Sequence, residues 1–103
     1  MVKETKETLS AYLNDVPEDK KFWSSDGKIF RNLSELADSL RSMSEETFSS
    51  HVNNEKNDFA KWVYDVIGDI SLSESLRNVT SKKETEKKIK ARIASIKRKL
   101  KSS

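Results

Sequence analysis

The sequence has no cysteine, one proline, two glycines and a single histidine in 103 residues. Without cysteine the chain forms no disulfide, no thiolate zinc site and no cysteine nucleophile, and it suits a reducing compartment. Because glycine and proline supply many of the turns in a sheet protein, their scarcity favours helices. The length fits one compact domain. We therefore expect a mainly all-α fold of five or six short helices.

Long apolar runs are missing as well. The first residues, MVKETKETLSAYL, lack the apolar stretch of a signal peptide. Nowhere do about 18 apolar residues follow one another, as a membrane-spanning helix requires. We therefore expect no membrane association and a soluble protein of the cytoplasm.

Charge is distributed unevenly along the chain. Charged residues make up 36% of the sequence, against about 25% in an ordinary globular protein. Residues 1–81 contain 10 Lys and Arg and 15 Asp and Glu, a balance of −5, whereas residues 82–103 contain 10 and 2, a balance of +8. All eight aromatic residues precede Asp65. The sequence predicts an acidic helical body (1–81) and a basic C-terminal helix (82–103), whose first half packs on the body to complete one domain.

A β-hairpin is predicted at residues 21–31 of this otherwise helical chain. The dipeptide Asp26-Gly27 lies between two arms that carry aromatic residues, and it favours the positive φ angles that a two-residue turn requires. Such a turn sets Trp23 opposite Phe30. We expect both side chains to face the core, because an isolated two-stranded ribbon is only marginally stable.

Helix-start signals precede the remaining apolar repeats, since Ser, Asn and Asp side chains bond the free N–H groups of a first helical turn. An N-terminal helix carries Leu9 to Val16 and is closed by Pro17. The predicted caps of the later helices are Asn32, Ser44, Asn57 or Asp58, Ser71 and Ser81. The predicted core consists of Trp23, Phe30, Leu33, Leu36, Leu40, Phe48, Val52, Phe59, Trp62, Val63, Val66, Ile67 and Leu76.

The only histidine opens the densest polar run of the chain, HVNNEKNDFAKW, at residues 51–62. Asn and Asp side chains bond nearby backbone groups and tolerate left-handed turns, so this run suits a link between two helices. We interpret it as a structural polar joint in which the histidine hydrogen-bonds across the link. The predicted members of the joint are His51, Asn53, Asn57 and Asp58.

A small-ligand or hydrolytic site around His51 is the weaker alternative for this run. A metal site would have to use Asp58, Asp65 and Asp69, whose spacing does not match a calcium loop. No G-x-S-x-G motif singles out a nucleophilic serine, and the two glycines stand too far apart for a phosphate-binding loop. We predict no catalytic residue, no metal and no cofactor.

Four short pieces of sequence between residues 22 and 94 carry a resemblance to a known family. They are NL-x-EL (32–36), the aromatic Phe48 with His51, which continues as His-Val-Asn to residue 53, NDFA-x-W (57–62) and GD-x-x-L (68–72). Together they resemble a small domain of archaeal and bacterial proteins that carries only a domain-of-unknown-function label. The resemblance implies an archaeal type of domain and the importance of the joint, and it implies no activity.

The joint departs from the pattern of this family. Bacterial members tend to have an aromatic residue next to the histidine and a long insertion before NDFA. Here Ser50 precedes His51, and only the five residues VNNEK separate His51 from Asn57. A ligand pocket built from that insertion is therefore not expected in this chain.

The basic C-terminal helix supplies a second candidate surface. Ile89, Ile93, Ile96 and Leu100 recur at helical spacing on one side, so cations cover the other sides. The segment has no aromatic residue to anchor it in a membrane, and no motif of sequence-specific DNA or RNA binding accompanies it. The candidate contacts to an anionic partner are Lys87, Lys88, Lys90, Arg92, Lys97, Arg98, Lys99 and Lys101.

The predicted function is that of a non-catalytic interaction module that binds a protein partner. The alternative is sequence-tolerant binding of nucleic acid through the basic helix, because its cations attract phosphates of any sequence. A third interpretation gives those cations no partner, since Lys and Arg near a C-terminus also complement the helix dipole and an acidic body.

Overall fold

The computed structural model describes residues 4–102. This part of the chain contains six α-helices and one antiparallel hairpin, which confirms the predicted mainly α-helical class. The elements are α1 (Lys6–Tyr12), a 3-10 turn (Glu18–Lys20), β1 (Phe22–Trp23), β2 (Ile29–Phe30), α2 (Leu33–Ser42), α3 (Glu45–His51), α4 (Asp58–Trp62), a π-helical segment that continues α4 (Val63–Ile67), α5 (Ile70–Leu76) and α6 (Lys82–Lys101). Within residues 4–102, none of these helices is long and apolar enough to cross a membrane.

Most of the predicted helix caps are confirmed. The side chains of Asn32, Ser44, Asn57 and Ser81 each accept a hydrogen bond from the backbone N–H three residues further on. Each bond satisfies one of the free donors of a first helical turn. The starts of α2, α3, α4 and α6 are therefore fixed by local sequence.

The predicted cap of α5 is wrong by two residues. Gly68 ends the π-helical segment in the left-handed region, at φ +83°, and Asp69 follows it as the N-cap. The carboxylate of Asp69 accepts the N–H of Leu72, so the helix starts ahead of Ser71. Glycine adopts this positive φ without a steric penalty, which explains the abrupt change of direction.

Helix α1 is also shorter than predicted. It ends at Tyr12, well before Pro17. The backbone N–H of Val16 donates to the carbonyl of Arg31 at 2.8 Å, just beyond strand β2. Val16 therefore pairs with the chain at the end of the hairpin and does not continue α1.

The hairpin has a different register from the predicted one. Phe22 pairs with Phe30 and Trp23 pairs with Ile29. Within the described residues only the two glycines have positive φ, so Asp26 does not adopt the conformation of a two-residue turn. Instead the N–H of Gly27 bonds to the carbonyl of Ser24, and the loop has three residues.

This one-residue slip exchanges the two faces of β1, while Phe30 of β2 stays on the core side as predicted. Phe22 and Phe30 face the core, where they are 9% and 1% exposed and stack with ring centroids 5.6 Å apart. Trp23 is 69% exposed and Ile29 is 41% exposed. The prediction that Trp23 belongs to the core is therefore wrong.

Helix α6 packs along most of its length. Ile89 joins the main core, which is built from the hairpin and helices α2 to α5. Ile96 forms a second cluster with Leu9 and Tyr12 of α1, and Leu100 packs against that cluster. The packing thus extends past the first half of the basic helix. The other residues predicted for the core lie in it or pack against it, with Val66 and Ile67 at its edge.

Candidate functional site

The imidazole of His51 lies at the end of α3 and is bonded on both nitrogens. Nδ1 is 3.0 Å from Oδ2 of Asp58, the first residue of α4. Nε2 accepts the backbone N–H of Ser25 at 3.0 Å, from the turn of the hairpin. The ring is buried, with the rings of Phe22 and Phe59 packed around it at centroid distances of 5.2 and 5.4 Å.

These contacts fix the tautomer of His51. A backbone N–H can only donate, so Nε2 must carry the lone pair. The ring proton of the neutral imidazole then lies on Nδ1 and is donated to the carboxylate of Asp58. One side chain thereby joins α3, α4 and the turn of the hairpin.

The amides of the joint bond to backbone groups. Oδ1 of Asn53 accepts the N–H groups of Glu55 and Lys56 and closes the tight turn after α3. Nδ2 of Asn57 donates to the carbonyls of Leu76 and Val79, at 2.9 and 3.3 Å, and so ties the start of α4 to the end of α5. The structure thus brings all four predicted joint residues into one bonded region.

The joint does not assemble an activated nucleophile. The hydroxyls of Ser25 and Ser50 lie 2.8 Å apart and bond to each other. The lone pair on Nε2 of His51 is used by the backbone N–H of Ser25, so it does not take a proton from either hydroxyl in this arrangement. The geometry is that of a structural link between three elements.

The three aspartates considered as metal ligands are each engaged by a cation or by the histidine. Asp58 bonds to His51 and to Lys56, Asp65 pairs with Lys61, and Asp69 pairs with an arginine of α6. Across residues 4–102 no three His, Asp or Glu side chains converge on a common point. Their carboxylates therefore hold protein cations and stand apart from one another.

A shallow groove of about 340 Å³ opens between the hairpin and α4. Its lining includes the aromatic rings of Phe22 and Trp62 and the side chain of Val66. Trp23 stands beside these residues and is exposed over most of its surface. The charged side chains of the lining are Lys21, Asp58, Lys61 and Asp65.

Trp23 and Ile29, cross-strand neighbours on the solvent face of the ribbon, form what we call the Trp23 ridge. Sequence reasoning missed the ridge because a two-residue turn would have placed Trp23 in the core. The presence of two aromatic residues side by side at positions 22 and 23 was the available signal. On a strand, adjacent side chains face opposite sides, so one of the two must face solvent.

A larger groove of about 610 Å³ adjoins the loop of the joint, with Asn53 and Asn57 in its lining, and extends between α4 and α5. Its lining is mostly polar and includes Tyr64, which is 54% exposed. The lining contains three cations and three carboxylates, and two pairs of them bond within the groove, Arg77 to Glu74 and Lys61 to Asp65. Because charges of both signs are present in equal number, the groove favours neither an anionic nor a cationic ligand.

Arg92 differs from the other cations of the basic helix. Its Nε and Nη2 bond to the two carboxylate oxygens of Asp69 at 2.7 and 3.0 Å, and Nη2 also bonds to Glu4. Burial lowers the pKa of the Arg92 guanidinium, but the bonds to Asp69 and Glu4 outweigh burial and raise it overall. Burial, and then the carboxylates of Asp69 and Glu4, raise the pKa of the neighbouring Tyr12 phenol. Arg92 is a structural cation.

The other predicted cations have more varied surroundings. Lys90 pairs with Glu86, and Lys99 lies 3.9 Å from Glu4. Lys88 is half-buried. The remaining ones are exposed and have no ion-pair partner among residues 4–102, namely Lys87, Lys97, Arg98 and Lys101.

No protein-family model, no curated protein and no solved structure matches this chain. The resemblance to a family of unknown function therefore stays a prediction. The candidate functional surfaces are the Trp23 ridge, together with the joint that supports it, and the exposed face of α6.

Proposed function

We propose that this chain is a non-catalytic interaction module that binds a protein partner through the Trp23 ridge and the groove beside it. The observation that carries the proposal is the 69% exposure of Trp23 on a ribbon whose opposite face is buried. Tryptophan is among the residues most enriched at the energetic centres of protein interfaces, because it buries a large surface with little loss of rotamer entropy.

The support beneath the ridge favours this role. Phe22, next to Trp23 in the chain, packs against Phe59 and Trp62, with ring centroids 5.1 and 5.9 Å apart. The turn that follows Trp23 is held by the bond between Ser25 and His51. A ridge fixed in this way loses little conformational freedom on binding, and that lowers the entropic cost of association.

The groove next to the ridge has the layout of a protein contact. The apolar side chains of Phe22, Trp62 and Val66 lie beside charges of both signs, on Lys61 and Asp65. Apolar centres with polar rims are typical of protein interfaces, whereas a polyanion would favour a surface of one sign. The volume of about 340 Å³ can receive an apolar side chain of the partner.

The experiment is affinity capture from nuclease-treated extract of the source cells, with the wild-type chain, Trp23→Ala and Tyr64→Ala as baits. Both substitutions remove an exposed aromatic ring, but Tyr64 lines the other groove. We expect the wild-type chain and Tyr64→Ala to capture the same proteins and Trp23→Ala to lose them. Equal capture by all three baits would overturn the proposal.

A further inference from the structure

The exposed face of α6 carries a row of cations. Successive residues of an α-helix are rotated by about 100°, so positions three, four, seven, eleven and fifteen apart fall on one side. From Lys83 to Lys101 the row is about 27 Å long, at a rise of about 1.5 Å per residue. We call this row the cationic face of α6, and its members are Lys83, Lys87, Lys90, Lys97, Arg98 and Lys101.

The charge on this face is not balanced within the described residues. The sequence from residue 82 onward contains only two acids, Glu84 and Glu86. Glu86 pairs with Lys90 at 2.6 Å, and that bond holds the pKa of the Glu86 carboxyl below its usual range. The remaining five cations of the face have no ion pair within residues 4–102. Like charges four residues apart destabilise a helix, so the row favours an external polyanion.

The opposite face of α6 is already occupied. Ile89 and Ile96 are fully buried against the body, and Arg92 is held by Asp69. An amphipathic helix binds a lipid surface by inserting its apolar face, and here that face is part of the core. The cationic face itself offers no large apolar side chain, because its centre is formed by Ala91 and Ala94. A lipid surface or a protein partner would therefore find no apolar anchor.

We infer that the cationic face of α6 binds the phosphate backbone of a nucleic-acid duplex without sequence preference. A duplex presents about one negative charge per 1.7 Å of axis, and displaced counterions drive association with a row of cations. The small side chains of Ala91 and Ala94 allow the sugar-phosphate backbone of the duplex to approach the middle of the row. Binding of single strands relies on aromatic stacking, and α6 has no aromatic residue. The cationic face of α6 is separate from the Trp23 ridge, so the proposal for one surface can be wrong while the proposal for the other is right.

The experiment measures binding of the full chain to a random-sequence DNA duplex, an RNA duplex and a DNA single strand by fluorescence anisotropy, over a range of salt concentrations. Binding to vesicles of anionic lipid is measured by co-sedimentation. The variant of the cationic face is Lys97→Ala/Arg98→Ala/Lys101→Ala. The matched control is Lys20→Ala/Lys28→Ala/Arg41→Ala, which removes two lysines and one arginine from exposed positions outside α6. Alanine maintains a helix well, and circular dichroism verifies that each variant is folded.

We expect the wild-type chain to bind at least one duplex more tightly than the single strand, with affinity that falls steeply as salt rises. On a plot of log affinity against log salt concentration, the variant of the cationic face should have a slope smaller by about three than that of the wild-type chain. Each phosphate contact contributes about one to this slope. Its affinity at low salt should fall by about tenfold or more, while the control changes affinity by less than about threefold.

Three results would overturn the inference. The first is the absence of salt-dependent duplex binding by the wild-type chain. The second is an equal loss of duplex affinity in the two triple variants, which would show that the effect depends on net charge and not on the cationic face. The third is tighter binding to the single strand, or to vesicles of anionic lipid, than to either duplex.

Lys83→Ala/Lys87→Ala, at the other end of the row, provides a second variant that should lower the salt slope by about two.

Discussion

The backbone N–H of Ser25 points at Nε2 of His51 across 3.0 Å, and this bond connects the hairpin turn to the end of α3. The other ring nitrogen bonds to Asp58 at the start of α4. The single imidazole of the chain therefore supports the loop that follows Trp23. The polar joint and the Trp23 ridge are parts of one structural unit.

The first prediction concerns the protonation of His51. We expect its neutral form to carry the proton on Nδ1, because Nε2 accepts a backbone N–H. Long-range proton–nitrogen correlation spectra of the imidazole distinguish the two tautomers. A spectrum that places the proton on Nε2 would contradict the hydrogen bond to Ser25.

The second prediction concerns the stability that His51 provides. We expect His51→Ala to lower the free energy of unfolding by about 2–4 kcal/mol, since it leaves the Ser25 N–H and the Asp58 carboxylate without this partner and removes a buried ring. Ser50→Ala, at an adjacent exposed position, should cost less than about 1 kcal/mol. Urea unfolding measures both, and similar values for the two variants would argue against a supporting role for His51.

The third prediction tests the register of the hairpin with two neighbouring aromatic residues. Phe22→Ala should cost about 3–5 kcal/mol, because Phe22 is packed in the core. Trp23→Ala should cost less than about 1 kcal/mol, although it removes the larger ring, because that ring is mostly exposed. Thermal or urea unfolding decides between the registers, and the reverse order of costs would place Trp23 in the core.

The fourth prediction separates the two roles of Asp69. Its carboxylate caps α5 through Leu72 and pairs with Arg92, while its side chain is fully buried. Asp69→Asn keeps a capping oxygen but removes the charge, so Arg92 loses its bidentate partner. We expect a loss of about 3 kcal/mol or more in the free energy of unfolding.

The control for Asp69 is the exposed pair between Lys90 and Glu86. Glu86→Gln should change the free energy of unfolding by less than about 1 kcal/mol, as is usual for ion pairs at a surface. If Asp69→Asn were equally mild, the buried ion pair would not be a main connection between α5 and α6.

The starts of four helices could be predicted from the sequence because each depends on contacts three residues apart. The side chains of Asn32, Ser44, Asn57 and Ser81 bond within their own first turns. The cap at Asp69 was missed because Ser71 offers an equally good local signal. What distinguishes Asp69 is its pairing with Arg92, which lies 23 positions away in the sequence.

The ridge could not be predicted for a related reason. The register of the hairpin depends on whether Asp26 as well as Gly27 adopts a positive φ, and only Gly27 does. The polar joint could be located from its composition, but the bond from His51 to Ser25 spans 26 positions and follows from the register. Long-range contacts thus decided which aromatic side chain faces solvent.

Site-specific photo-crosslinking in the source cells tests the central claim most directly. A photoreactive phenylalanine derivative is placed at position 23 in one variant and at position 64 in another, both of which are exposed aromatic positions. We expect illumination to produce a discrete covalent adduct with another protein from position 23 and none from position 64. The absence of any adduct at position 23, or the same adducts from both positions, would contradict the claim that Trp23 is the contact through which this chain binds its partner.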